Sequence, residues 1–175
     1  LLRSFASAMC RHTFWSQASL APRIASKRAG PKNIMLNVKI KRLNPDAKLP
    51  SYAHPGDVGL DLYSLEGVTV QPGGHHRFYN GFALEFPEGY AAIVKDKGSI
   101  SKAGLHTVGG VYDAGFRGEY NVHLVNLSDK PYTFEKGDKV AQLVILPVAH
   151  AELTETDTLA DSSRGMGQFG STGKK

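Results

Sequence analysis

The chemistry-bearing residues of this 175-residue chain fall into five short clusters. Asp57 and Asp61 stand in His54-Pro-Gly-Asp-Val-Gly-Leu-Asp-Leu62, where an aspartate near glycine either closes a turn or faces a metal ion. Lys95-Asp-Lys-Gly-Ser-Ile-Ser-Lys102 places Gly98 and the Ser99 hydroxyl among cations, with Lys97 adjacent, a composition suited to phosphate oxygens or to a solvated loop. Gly109-Gly-Val-Tyr-Asp-Ala-Gly-Phe-Arg-Gly118 reads as a tight hairpin with Asp113 near its bend. Gly137-Asp-Lys-Val-Ala-Gln-Leu143 supplies the amide of Gln142. Finally, Arg164-Gly-Met-Gly-Gln-Phe-Gly-Ser-Thr172 combines a fixed cation, the Phe169 ring, and the hydroxyls of Ser171 and Thr172 with many backbone N–H groups. Gly165, Gly167 and Gly170 spell G-x-G-x-x-G, but a dinucleotide site needs a helix opening from that string, and too little chain follows Gly170 to build one. The segment reads instead either as a disordered terminus or as a mobile arm closing over an anionic ligand, with the ring on a base and N–H groups on phosphate oxygens.

These groups need a rigid frame, and the residues between them specify one of short strands. Residues 36–42 alternate with period two, and 77–86, 90–94, 120–126 and 140–148 are β-rich. Pro72-Gly73-Gly74, Asn80-Gly81, Pro87-Glu88-Gly89 and Lys136-Gly137-Asp138 punctuate them with turn chemistry. No window carries a helical stripe, although 101–105 could hold a turn or one short helix. The expected fold is all-β, a jelly-roll-like barrel or sandwich spanning residues 36–160, followed by the glycine-rich arm at 161–175.

Charge is unevenly distributed. Residues 1–35 hold six cations (Arg3, Arg11, Arg23, Lys27, Arg28, Lys32) and no acid, leaving 15 basic against 16 acidic residues in the body. A near-neutral body lacks the basic stripe of a nucleic-acid binder, so no nucleic-acid partner is expected. The Ser-, Ala- and Arg-rich leader has the composition of a mitochondrial transit peptide, and initiation at Met35 would give a leaderless cytoplasmic or nuclear form. No run approaches the ~18 apolar residues of a membrane span, so no membrane partner is expected. The single cysteine, Cys10, lies in the leader, which excludes disulfide and thiolate–zinc chemistry from the body.

The order of the five clusters resembles that of the trimeric all-β dUTP diphosphatases, and the resemblance covers residues 36–173. Gly110-Val-Tyr-Asp-Ala-Gly-Phe-Arg-Gly118, Gly137-Asp-Lys-Val-Ala-Gln-Leu143 and the arm carry it most specifically. It implies Mg²⁺-assisted hydrolysis of dUTP to dUMP and pyrophosphate, limiting uracil in DNA and supplying dUMP, in a homotrimer with shared sites. By the same resemblance Asp113 activates water for attack on the α-phosphorus, Gln142 helps to hold that water, and Asp61 anchors the hydrated magnesium. Lys97, Gly98 and Ser99 meet phosphate oxygens; Gly110 and Val111 read the uracil edge through backbone groups; Phe116 lies against the deoxyribose. Arg164, Gly170, Ser171 and Thr172 close over the phosphates while Phe169 stacks on uracil. Such a reaction asks a protein mainly for positioning and charge neutralisation, which these residue types supply. The chain departs from the pattern at Lys97, where Arg is usual, at Gly98, where Ser is usual, at Phe116, often Tyr, and at Gln168, commonly Gly. Lys lacks the bidentate fork of Arg.

Two other readings compete. A dCTP deaminase on the same fold would need a glutamate on the strand after the third cluster, where His123 stands. A non-catalytic nucleotide sensor would have no use for Asp61, Asp113, Gln142 and the arm together.

Overall fold

The computed structural model describes residues 35–167. The chain divides into Leu1–Met35 and Leu36–Lys175. In chain order the elements are β1 (Lys39–Arg42), β2 (Leu60–Tyr63), β3 (Val68–Val70), β4 (His75–Tyr79), β5 (Phe82–Glu85), β6 (Tyr90–Lys95), α1 (Gly98–Lys102), β7 (Leu105–Thr107), β8 (Val111–Asp113), β9 (Asn121–Asn126), β10 (Tyr132–Phe134) and β11 (Lys139–Pro147). Every pairing is antiparallel. One sheet runs β2-β11-β6-β8 and a second β4-β9-β7, with β1 on β5 and β10 on β3 as two-stranded ribbons. This is the jelly-roll-like all-β architecture that turn spacing predicts. Among the described residues no helix is long and apolar enough to cross a membrane.

Alternation along the strands builds the core. Val122, Leu124 and Asn126 of β9 point inward while Asn121, His123 and Val125 are half-exposed on the other side. Phe78, Phe82, Leu62, Leu143, Val140 and Phe134 fill the interior. The Tyr120 ring stacks between Phe82 and Tyr112, at 5.4 and 4.1 Å, and burial pushes the Tyr120 phenol well above its ordinary range. The 77–86 run breaks at Asn80-Gly81. There Asn80 turns its buried amide onto the Tyr63 carbonyl at 2.9 Å, and Gly81 adopts φ +72° with its carbonyl accepting from the Leu43 and Asn44 N–H groups. An added Cβ at Gly81 would stand 2.6 Å from that of Ala47.

One local expectation is corrected. Residues 109–118 do not form a hairpin: β8 pairs with β6 in one sheet and the following β9 pairs with β4 and β7 in the other. The segment between β8 and β9 is a crossover between sheets, closed by a turn in which the Phe116 N–H donates to the Asp113 carbonyl at 3.1 Å. Of the glycines of 109–118, read from sequence as a hairpin bend, Gly110 instead allows close approach to Val94 of β6 and Gly118 makes room for the Phe116 ring. The single helix among the described residues, α1, starts three residues earlier than the 101–105 window.

Candidate active site

Asp61, Gln142 and Lys95 lie in one row across β2, β11 and β6. Directly opposed residues share a sheet face, so these three project from the same side. Asp61 is only 2% exposed, and an isolated carboxylate there would carry a large desolvation cost. Two cations from distant chain positions offset it. Lys97, at the N-terminal boundary of α1, donates to Oδ1, and Lys139, at the start of β11 beside a register shift, lies 2.6 Å from Oδ2. Lys139 is close in charge but not aligned as a hydrogen bond, which leaves Oδ2 a buried acceptor with an open lone pair. Burial alone would raise the Asp61 pKa; the Lys139 and Lys97 ammonium groups outweigh it and hold the carboxyl below its ordinary range.

Gln142 is fixed by its backbone surroundings. Its Nε2 donates to the Asp96 carbonyl at 2.8 Å, and its amide oxygen lies so close over Gly59 that an added Cβ there would be 2.2 Å from it. Asp96 in turn accepts from the Thr107 N–H at 2.6 Å and contacts His106 Nδ1 at 2.5 Å. Burial would raise the Asp96 pKa, and Thr107 and His106 more than reverse that. Ser99 opens onto a hollow of about 380 Å³ that Lys48, Tyr63 and Lys139 also line. A Cβ at Gly98 would meet open space, so glycine there is not sterically required. Asp57 is not part of this group: its carboxylate accepts from the His54 N–H at 2.8 Å and closes a turn.

A second group gathers at the other edge of the same sheet. Gly110 has φ +92°, and its Cβ would stand 2.8 Å from that of Val94, whose N–H donates to the Gly110 carbonyl at 2.8 Å. Only glycine fits so close to β6 in that conformation. Val111, 67% exposed, and Asp113 then follow on β8, both facing away from the core while Tyr112 faces into it. The Tyr112 hydroxyl donates to the Asn121 carbonyl at 2.7 Å and accepts from its N–H at 3.0 Å, which ties β8 to β9. Phe116 lies over Gly118, whose Cβ would be 2.6 Å from the ring, and borders Tyr112 and Tyr120 at 5.3 and 5.8 Å. Arg117 Nη1 donates to the Ala114 and Phe116 carbonyls at 2.6 and 2.9 Å. The result is a half-exposed aromatic platform next to an exposed carboxylate.

The two groups do not meet within one chain. Asp113 lies opposite Ala91, four residues along β6 from the row of Asp61, and three strand spacings separate the two aspartates. At ~3.3 Å per residue and ~4.8 Å per strand, the offset is about 13 Å along the strands and about 14 Å across them. The described part of the arm is exposed and without regular structure; Arg164 Nε donates to the Gly167 carbonyl at 3.0 Å. Phe169, Gly170, Ser171 and Thr172 lie outside the described residues.

The dUTPase family model matches residues 45–173. The chain belongs to the dUTPase family. It is 46% identical over 142 residues to a deoxyuridine 5'-triphosphate nucleotidohydrolase of Thermobifida fusca, covering 79% of each chain, and 43% identical over 144 residues to one of Alkaliphilus metalliredigens, covering 81% of this chain and all of the relative. Among solved structures, a Staphylococcus bacteriophage 80alpha dUTPase with dUPNHPP is similar at a TM-score of 0.73 and 27% identity, with 78% of this chain and 98% of that one aligned.

Within this dUTPase scaffold, structure adds residues that sequence reading passed over. Lys139, Asp96, Tyr112 and Gly118 each position a residue that the sequence singles out, and their roles depend on contacts across strands that no local pattern reveals. Two results are expected. Gly118→Ala should displace the Phe116 ring, raising the KM for a deoxynucleotide several-fold while the melting temperature moves little; unchanged steady-state constants would show that the ring's seat is not needed. Asp61→Asn removes the partner of two cations and should cost on the order of 2 kcal/mol, less than a fully buried pair because Lys139 is half-exposed. Because the folded pKa of Asp61 is depressed, its contribution is present above the unfolded carboxylate value near 3.8 and is lost as pH falls through the lower folded value. Melting from pH 6 down to 3 should therefore fall more steeply for the wild type than for Asp61→Asn, and parallel curves would remove this role.

Proposed function

We propose that this chain hydrolyses dUTP to dUMP and pyrophosphate, using Asp113 as the base that orients and deprotonates water for attack on the α-phosphorus. The water oxygen bonds to that phosphorus, its proton passes to the Asp113 carboxylate, and the α–β bridging bond breaks to release pyrophosphate. Lys97, Gly98 and Ser99 are assigned to phosphate oxygens, Gln142 to the water and phosphates, Phe116 to the deoxyribose face, and the backbone at Gly110 and Val111 to the uracil edge. Arg164, Phe169, Gly170, Ser171 and Thr172 are assigned to the closing arm. Family membership carries the reaction; the exposed Asp113 beside the Phe116 platform supports the assignment of the base.

Asp61 fits a hydrated magnesium ion. A carboxylate already paired with two ammonium groups is a poor direct ligand, whereas the open lone pair on its buried Oδ2 suits acceptance of a hydrogen bond from a metal-bound water. Magnesium commonly retains waters and binds through few carboxylates together with substrate phosphates. When bound, Mg²⁺ supplies charge neutralisation to the triphosphate. Asp61 would hold it through water, with Lys97 and Lys139 shared between this carboxylate and the incoming phosphates.

The wide separation of Asp61 from Asp113 supports a site that draws on more than one chain, as in the homotrimer that the family resemblance implies. The partly exposed apolar residues Ile93, Val111, Val144 and Leu146, on the sheet face that bears both aspartates, support contact between copies there. The leader's composition supports mitochondrial targeting, with a cytoplasmic or nuclear form starting at Met35; the named curated relatives are bacterial and lend this no support. Import of the full chain, but not of the 35–175 form, into isolated mitochondria checks it.

Pyrophosphate and ammonia release measured in parallel with dUTP and dCTP tests the reaction. Pyrophosphate from dUTP alone is expected; ammonia from dCTP would replace this reading with deamination. Phe116 as a sugar platform further predicts strong rejection of UTP, whose extra hydroxyl would press on the ring. Comparable kcat/KM for UTP and dUTP would remove Phe116 from that role.

A further inference from the structure

The second sheet carries a pair of histidines that the proposed reaction does not use. His75 of β4 and His123 of β9 are diagonal neighbours on the outer face of their ribbon, with His75 opposite Val125 and His123 opposite Arg77. Their rings meet edge-on, centroids 5.0 Å apart at 70°, and His75 Nδ1 faces His123 Nε2 at 3.1 Å. We propose that His75 and His123 chelate one transition-metal ion of the zinc class on this face.

The geometry is that of a two-nitrogen chelate. Two imidazole nitrogens each ~2.0–2.1 Å from one zinc ion stand about 2.9 Å apart at a right angle and about 3.4 Å apart at the tetrahedral angle, and the observed 3.1 Å lies between them. Two hydrogen-bonded strands hold the rings, so little order has to be created on binding. The two nitrogens stand as a hydrogen-bonded pair, one ring donating its N–H to the other; on metal binding the donor ring would move that proton to its outward nitrogen, so that both facing nitrogens present lone pairs. His76 projects to the opposite face and contacts Glu66 at 2.9 Å, so it is not a third ligand. On the far side of β9, His106 is engaged with Asp96. Solvent would complete the coordination. Arg77, directly across from His123, weakens the site for a dication without blocking it. Imidazole donors favour zinc, nickel and copper over magnesium, so a magnesium-loaded substrate site would not compete.

Calorimetric titration of the full chain with ZnCl₂ at pH 7.5, in excess Mg²⁺, tests the assignment, with His75→Ala, His123→Ala and His76→Ala titrated beside the wild type. The site is the difference among them, which removes contributions from Cys10 and the remaining histidines. The wild type and His76→Ala should each bind one zinc equivalent per chain that is lost, or at least ~10-fold weaker, in His75→Ala and His123→Ala. That equivalent should also disappear at pH 5.5, where imidazoles take protons in competition with the metal. Turnover of dUTP should be the same in all four proteins before zinc is added, which establishes that each is folded. Equal zinc binding in all four, or none in the wild type, would overturn the proposal.

Discussion

Asp113→Asn should lower kcat for dUTP by about 10²–10⁴-fold while leaving substrate affinity and melting temperature nearly unchanged. The substitution is almost isosteric, and the Asp113 side chain stands exposed on β8, facing away from the core. The main-chain turn that accepts the Phe116 N–H is untouched by it. The amide cannot take the proton of the attacking water, so the loss falls on the chemical step. Single-turnover measurement separates that step from binding. A variant with near-normal kcat would mean that a group other than Asp113 deprotonates the water.

Removal of the arm after Ser163 should abolish turnover to a comparable extent, about 10³-fold. The missing segment carries Arg164, Phe169, Ser171 and Thr172, and the loss of even one well-placed donor to a developing charge costs about 10²–10³ in rate. Stability should hardly respond. The described residues of the arm hydrogen-bond only locally, as in the Gly165 N–H to the Ser162 hydroxyl at 3.0 Å and Arg164 to Gly167, and Met166 is highly exposed. A change in unfolding free energy below about 0.5 kcal/mol is expected, as for other surface changes. Phe169→Ala alone should weaken nucleotide binding by about 1–3 kcal/mol if the ring stacks on the base. A truncated protein with intact turnover would reduce the arm to a passive tail.

Much of this architecture was legible because turn chemistry sits where the chain reverses. Asn80-Gly81 and Pro87-Glu88-Gly89 bound β5, and the period-two run at 36–42 contains β1. The shortest strands, Val68–Val70, Leu105–Thr107, Val111–Asp113 and Tyr132–Phe134, escaped because three residues cannot establish a period, and their pairing partners lie far along the chain. The glycines of 109–118 pointed to a bend, yet Gly110 is required for close approach to Val94 and Gly118 for the seat of Phe116, contacts that only the crossover creates. For the site, Asp61 could be singled out by type, and Lys97 and Gln142 through the family resemblance. That Asp61 is buried, and that Lys139 shares its neutralisation, follows from strand register and from a shift beside Lys139 that residue types do not encode. The division of the site between the two sheet edges was likewise invisible from the linear order of the clusters.

A mixed-oligomer experiment bears most directly on hydrolysis of dUTP at sites built from several chains. Arm-less chains and Asp113→Asn chains, each nearly inactive alone, are dissociated, combined and reassembled, and the mixed species are verified by mass. Sites that take Asp113 from an arm-less chain and the arm from an Asp113→Asn chain should then release pyrophosphate from dUTP at a substantial fraction of the wild-type rate. Verified mixed oligomers that remain as inactive as their parents would contradict the shared site and require the arm to close over Asp113 of its own chain.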